Sequence, residues 1–241
     1  MKRAIKTIFS VLFGSLVKHM GYVSAEDSLQ SNLLHKNYLL NTLFTNLKAA
    51  GFSPKHILDV GANHGTWTRE ALKYFPDAYY TLIEPQNWLK PSFQDLLNTN
   101  KTISYHAVGA GSQSGSFKFT IVERDDSCSF KYTEEEALKN DYKQVEIPIV
   151  TLNELLGANS KLPKGASDFV GKTEVFMVEA GVVTKEFDNS ILKVMKFMDG
   201  NGYRLFEITD LNRPFVFNIL WLVELAFVRK NGSIDSYTFN K

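Results

Sequence analysis

The sequence predicts an α/β fold with a mainly parallel sheet, helical crossovers and one inserted antiparallel hairpin. Three observations carry that prediction. Short apolar runs alternate with stretches of helical spacing, the first of those runs ends in the glycine bend "DVGANHG", and a polar turn, "GSQSG", interrupts the alternation before "SFKFTIV". With 241 residues and 44% hydrophobic content the chain is long enough for one packed domain. We divide it into an N-terminal amphipathic segment, 1–35, and a single domain, 36–241.

The elements follow in order. "LLHKNYLLNTLFTNLKAAGF" has helical spacing through Leu39, Leu40, Leu43, Phe44 and Leu47, and Gly51 is placed to end that helix. "HILDVGAN" is too short and too apolar for a surface helix and reads as a buried strand ending near Val60. "TWTREALKYF" resumes helical spacing, "AYYTLIEP" is a second strand, "SFQDLLNTN" a short helix and "TISYHAVG" a third strand. After "GSQSG", Phe117, Phe119 and Ile121 alternate with Lys118 and Thr120, which predicts an antiparallel hairpin with one apolar and one polar face. The acidic run Glu134 to Glu136 reads as a solvated helix face, and "VEIPIVTL" as a strand. "EVFMVEA" then forms a strand, "SILKVMKFMDGNG" a helix with Ile191, Val194, Met195 and Met198 inward, and "YRLFEI" and "WLVELAFVRK" the last two strands.

The first twenty-five residues, "MKRAIKTIFSVLFGSLVKHMGYVSA", support three readings. Ile5, Ile8, Phe9, Leu12, Phe13, Leu16 and Val17 share a helical stripe, which suits a helix packed on its own domain. Lys2, Arg3, Lys6 and Lys18 lie mainly off the stripe, which suits peripheral membrane contact through residues 1–20. The order basic, apolar, small is also the grammar of a signal peptide. No stretch approaches the ~20 apolar residues of a spanning helix.

Bulk charge narrows the partners. Lysine and arginine number 27 against 26 acidic residues, so electrostatics gives no reason to expect nucleic-acid binding. Tyrosine and tryptophan show no stacking pattern either. The single cysteine, Cys128, excludes an intrachain disulfide framework and fits a reducing, cytoplasmic setting. No metal site is expected: Asp125 and Asp126 are adjacent acids on a loop, which are ordinarily solvated.

The bend carries the chemistry. Asp59, Gly61 and Gly65 stand at a strand-to-helix junction, where glycine allows positive φ and close approach of a ligand to the backbone. In open α/β sheets ligands bind outside the carboxyl ends of the strands. A dinucleotide site would read G-x-G-x-x-G; here Asn63 stands at the second glycine, an acid precedes the loop, and no phosphate-binding lysine follows. A cationic sulfonium nucleoside without phosphates, S-adenosylmethionine, suits that loop better than a nicotinamide cofactor. Glu84, at the tip of the second strand, could accept from both hydroxyls of a ribose.

"ILDVGANHGTWTREAL", "LIEPQ", "HAVGAGSQSGSFKF", "IPIVTLNELL" and "MKFMDGNGYRLFEITDLNRP…LVELAFVRKNGS" resemble the FkbM-type methyltransferases over about residues 40 to 232. The resemblance implies a class I methyltransferase-like, Rossmann-like sheet with helices on both faces. It also implies S-adenosylmethionine as donor and O-methylation of a small-molecule hydroxyl on a sugar, glycolipid or polyketide-like product. By motif match, Asp59, Gly61, Ala62, Asn63 and Gly65 would line the methionine end of the cofactor, Glu84 would hold the ribose, and Ala107 and Val108 would border the adenine.

One expected piece is missing. Family members carry a further central strand of the type I-D-V-E-G-A-E, whereas residues 157–173 here hold neither an apolar run nor an acid-glycine-acid cluster. Such a gap would leave backbone groups unpaired at roughly 1–3 kcal/mol each, so we expect "EVFMVEA" to pair directly with "ILDVGAN". The alternative function is a catalytically impaired cofactor-binding remnant. His64, His106 and Glu179 are the candidate bases.

Overall fold

The computed structural model describes residues 37–157, 171–183, 189–213 and 219–239. The segment 1–35, with its three readings, and most of the 157–173 crossover lie outside the described residues.

Helix α1, Tyr38–Ala49, buries Leu40, Leu43, Phe44 and Leu47, the stripe its spacing predicts. It stops at Gly51, whose φ is +79°. There Gly51 N–H donates to Lys48 O and Phe52 N–H to Leu47 O, both at 3.0 Å, which satisfies carbonyls a helix end leaves open.

Strand β1, His56–Val60, leads through the glycine bend to helix α2, Thr66–Tyr74, and on to β2, Tyr79–Ile83. A 3-10 segment, Asn87–Phe93, and helix α3, Gln94–Thr99, connect to β3, Ile103–His106. The three strands form one parallel sheet in the order β1-β2-β3. Register puts Val60 opposite Ile83 and Ile83 opposite His106, so the three carboxyl tips end level. One face of this sheet packs on α1 and α2 through Tyr80, Leu82, Phe44, Leu47, Ala71 and Phe75. Trp67 meets Phe44 edge-on at 5.6 Å, so it is part of that packing.

The expected hairpin is corrected in its partner. Strands β4, Gly109–Ala110, and β5, Gly115–Ile121, flank β6, Lys143–Val150, in the order β4-β6-β5. The "GSQSG" turn therefore joins two strands that do not pair with each other. The cause is length: β5 finds seven registered antiparallel partners in β6, whereas β4 has two residues to offer and pairs parallel. Thr120, expected on the polar face, is fully buried. Its backbone exchanges bonds with Ser129 at 2.8 and 3.1 Å, and its hydroxyl accepts from Gln144 Nε2 at 2.9 Å. Helix α4, Glu134–Lys139, follows with its glutamates exposed, and Thr133 and Glu136 form a capping box.

After α5, Leu152–Gly157, the described chain resumes at β7, Val175–Gly181. Helix α6, Ile191–Gly200, buries Met198 and half-buries Ile191, Val194 and Met195, as its pattern predicts. Strands β8, Tyr203–Asn212, and β9, Leu222–Arg229, complete an antiparallel sheet in the order β7-β9-β8. The sequence pattern leaves unread helix α5, where "VEIPIVTL" reads as strand through Leu152, and helix α7, Ser233–Phe239, whose Asp235 pairs with Arg204 and accepts from Asn231 N–H at 2.8 Å.

The chain is thus a mixed α/β fold with a parallel sheet and helical connections. The expected β1–β7 ladder is not present. Among the described residues β1 pairs with β2 alone, while β7 takes β9 as an antiparallel partner over seven registered pairs. The first and third sheets meet through side chains instead: Val175, Met177, Phe206, Ala226 and Val228 share the core of Tyr80 and Leu82. No helix among the described residues is long and apolar enough to cross a membrane.

Candidate functional site

The site grows from the tip of β1. Gly61 and Ala62 both donate their backbone N–H to Ile83 O, at 2.8 and 3.1 Å, which folds the bend across the end of β2. Gly61, Asn63 and Gly65 have φ of +82°, +45° and +71°. Asparagine tolerates that region because its short amide can bond locally, and Asn63 Oδ1 accepts from His64 N–H at 2.8 Å. Gly65 has a second constraint. A Cβ there would lie 3.0 Å from Phe93 Cβ, so a side chain at this position would press on the 3-10 segment. Helix α2 then begins with no side-chain cap from Gly65, while the Thr68 N–H of its first turn is bonded to Asp59.

Two acids fix the bend. Glu84, one residue past β2, is 3% exposed. One of its carboxylate oxygens accepts from Asn63 N–H at 2.8 Å and the other from Gln86 N–H at 2.9 Å. A carboxylate has about four acceptor positions, so each oxygen keeps one. Asp59 is almost wholly buried and accepts from the Thr68 hydroxyl of α2. Burial raises its pKa, the Glu84 charge adds to the rise, and the Thr68 bond opposes it.

The sequence-derived residues fall into two groups. Asp59, Gly61, Ala62, Asn63, His64, Gly65 and Glu84 surround the tips of β1 and β2. His106 ends β3, where its carbonyl accepts from Glu84 N–H at 3.2 Å, and Ala107, exposed, and Val108, half-buried, follow at once. Glu179 stands apart on β7. Register places it opposite Glu224, which in turn is opposite Asp210. Solvent reaches Glu179, yet the protein mass around its carboxyl raises its pKa, and the charges of Asp210 and Asp126 add to that. Glu224 is pushed up to about 7, chiefly by burial; Thr209 donates to it at 2.6 Å and opposes the shift, while Glu179, Asp210 and Asp59 reinforce it. The Asp59 influence ties this row electrostatically to the first sheet.

Sequence reasoning passed over three residues here. Glu224 was visible only as a charge inside the apolar run "WLVELAFV". Asp125, read as a solvated loop acid, instead meets His64 Nε2 at 2.6 Å through Oδ2 and accepts from Gln86 Nε2 at 3.0 Å through its backbone carbonyl. Gln86 itself is 4% exposed, and its Oε1 finds no donor among the described residues. No sequence signal marks a glutamine for that position. Two surface hollows of about 390 and 400 Å³ lie elsewhere, along α1 by Asn41 and between β7 and α6 by Val178 and Val194. No group of three or more His, Cys, Asp or Glu side chains among the described residues is placed to hold a metal ion.

No family model matches the chain, and no curated protein matches its sequence. Solved structures similar to it include precorrin-6y C5,15-methyltransferase from Geobacter metallireducens GS-15, at 12% identity over 77% of this chain and 86% of that one, with a TM-score of 0.37. A second is 23S rRNA methyltransferase ErmE, at 14% identity over 78% and 67%, TM-score 0.36. A third is 1,6-didemethyltoxoflavin-N1-methyltransferase from Burkholderia thailandensis, solved with S-adenosylhomocysteine, at 11% identity over 95% and 91%, TM-score 0.34. The substrates and cofactors named for those proteins are theirs.

Proposed function

We propose that the chain is an S-adenosylmethionine-dependent O-methyltransferase acting on a hydroxyl of a sugar, glycolipid or related small molecule. One observation carries the reading. A positive-φ bend bounded by glycines closes the carboxyl tip of a parallel strand, and a buried carboxylate at the neighbouring tip holds that bend by its backbone. The residues fit the cofactor in kind. The N–H groups of Thr66 and Trp67, which Gly65 at the N-cap has no side chain to cap, suit its carboxylate end. The remaining acceptor positions of Glu84 suit ribose hydroxyls, the backbone at Ala107 and Val108 suits the adenine edge, and Gln86 Oε1, without a donor among the described residues, suits an N–H or O–H of the nucleoside.

When bound, the sulfonium supplies an electrophilic methyl group. The chain's own part is to hold the acceptor hydroxyl in line with that methyl and to take up its proton. Glu224, held near neutrality, suits that last role better than His64, whose Nε2 is engaged by Asp125. With that methyl supplied, Glu224 would take the proton that the acceptor hydroxyl gives up.

A second reading is a cofactor-binding remnant without turnover, and one observation favours it: among the described residues no ladder joins β1 to β7, so the acceptor side lacks a continuous sheet. Titration calorimetry with S-adenosylhomocysteine tests the shared premise. We expect binding by the native chain and at least a tenfold loss in Glu84→Ala, about the weight of one charge-assisted hydrogen bond. Absence of binding to the native chain sinks both readings; binding without methyl transfer to any member of a sugar-hydroxyl panel favours the second.

A further inference from the structure

We propose that residues 123–128 form a strap that closes over the glycine bend, latched by the His64–Asp125 contact and keyed through Gln86 to a hydrogen-bond donor on the bound nucleoside. This rests on the cofactor reading above.

The strap is built to move as one piece. Its base is pinched shut by the reciprocal Thr120–Ser129 backbone bonds, which leaves a natural pivot. Inside it, Ser127 N–H donates to Arg124 O at 3.0 Å, the Arg124 guanidinium grips Asp126 at 2.7 and 3.1 Å, and Val122 N–H reaches Cys128 Sγ at 3.4 Å. A loop with paired ends and its own internal bonds is a compact unit. None of the residues of its 3-10 turn, Asp125–Ser127, is buried, so lifting it exposes little apolar surface.

Its attachments to the site converge on one residue. Asp125 meets His64, inside the bend, through its side chain, and Gln86, just past the β2 tip, through its carbonyl. Both partners of the latch are about two-fifths exposed. A charged pair so open to water is weak, which suits a closure that must release.

Gln86 supplies the link to a ligand. Its Nε2 holds the strap while its Oε1 is enclosed and has no donor among the described residues. Buried acceptors are rarely left so. An N–H or O–H from a nucleoside seated against the bend would complete the amide and hold the strap down through the same side chain. Ligand and strap would then stabilise each other.

Cys128, the chain's single cysteine, lies in the strap and reports its opening. The experiment measures maleimide labelling of Cys128 in the full chain, alongside calorimetry with S-adenosylhomocysteine. Without ligand, Asp125→Ala and His64→Ala should each label roughly two- to fivefold faster, the range a weak exposed pair allows. The double variant should label no faster than either single one, and all three should stay well below the rate in denaturant. Saturating S-adenosylhomocysteine should slow the native chain, and Gln86→Leu should lose that slowing. Unchanged rates in both single variants overturn the latch, and additive rates do the same. If S-adenosylhomocysteine binds but slows Gln86→Leu as much as the native chain, the key is overturned while the cofactor reading stands. If it does not bind at all while the single variants label faster, the latch is supported and the cofactor reading fails with the key.

Discussion

At the tips of the first sheet and of the third, the chain places the same group in opposite circumstances. Glu84 is buried beside β2 with a backbone N–H on each oxygen, so its charge is spent holding the bend in shape. Glu224 is half-buried in β9 with one hydroxyl donor and three acids acting on it, so its charge is unwelcome. A carboxylate that receives fixed donors becomes a structural staple; one denied them becomes a proton acceptor near neutral pH. On the function proposed above, that difference gives shape to the first sheet and proton transfer to the third.

The contrast can be broken most directly at Glu84. Glu84→Ala leaves two N–H groups without their acceptor and should cost about 2–4 kcal/mol in urea unfolding, together with the loss of S-adenosylhomocysteine binding. A loss of binding with no change in stability would show that the staple is not structural.

Glycine at the two ends of the bend sharpens the point. Gly61→Ala meets no atom within 4 Å and should cost only the backbone penalty of positive φ, about 1–2 kcal/mol. Gly65→Ala adds a clash with Phe93 and should cost more, about 2–3 kcal/mol. Equal losses would mean that the 3-10 segment yields freely.

At Glu224 the sign reverses. Its native carboxyl holds a proton up to about 7, while in the unfolded chain it ionises near the ordinary glutamate value. Between those two points the native state binds more protons, so stability falls as pH rises. Glu224→Gln should therefore stabilise the protein at pH 8, by about 2 kcal/mol, and change little near pH 4. Equal effects at both values would show that Glu224 does not titrate between them. If Glu224 is also the base, the variant loses methyl transfer while keeping S-adenosylhomocysteine affinity.

The smallest effect belongs to Asp95, which takes both guanidinium N–H arms of Arg69 and is held down to about 2, chiefly by that bond. The depressed value means its contribution is present above the ordinary aspartate range and fades as pH falls through about 2. Because the pair is exposed, Arg69→Ala should barely move the urea midpoint at pH 7.

Much of this was legible before any coordinates. The stripe of Leu40, Leu43, Phe44 and Leu47, the stop at Gly51, the strand ending at Val60 and the bend from Gly61 to Gly65 are local patterns, and each depends on residues within a few positions of one another. The partition of strands was not legible. Nothing in "SFKFTIV" says that its partner is β6 and not β4, and nothing in "EVFMVEA" says that it prefers β9 to β1. Pairing is a competition between distant segments, decided by length and by the core each arrangement can bury.

The same division holds at the site. Composition and order along the chain determined that a glycine-bounded bend would follow the first strand and that an acid would stand at the second strand's tip, because steric freedom and strand alternation are properties of neighbouring residues. Only the tertiary structure decided that Asp125 would reach His64 across 61 positions of chain, that Gln86 would be enclosed with one oxygen unpaired among the described residues, and that Glu224 would share its surroundings with Asp59, Glu179 and Asp210. Burial and charge are set by everything that surrounds a group, and no stretch of sequence contains its surroundings.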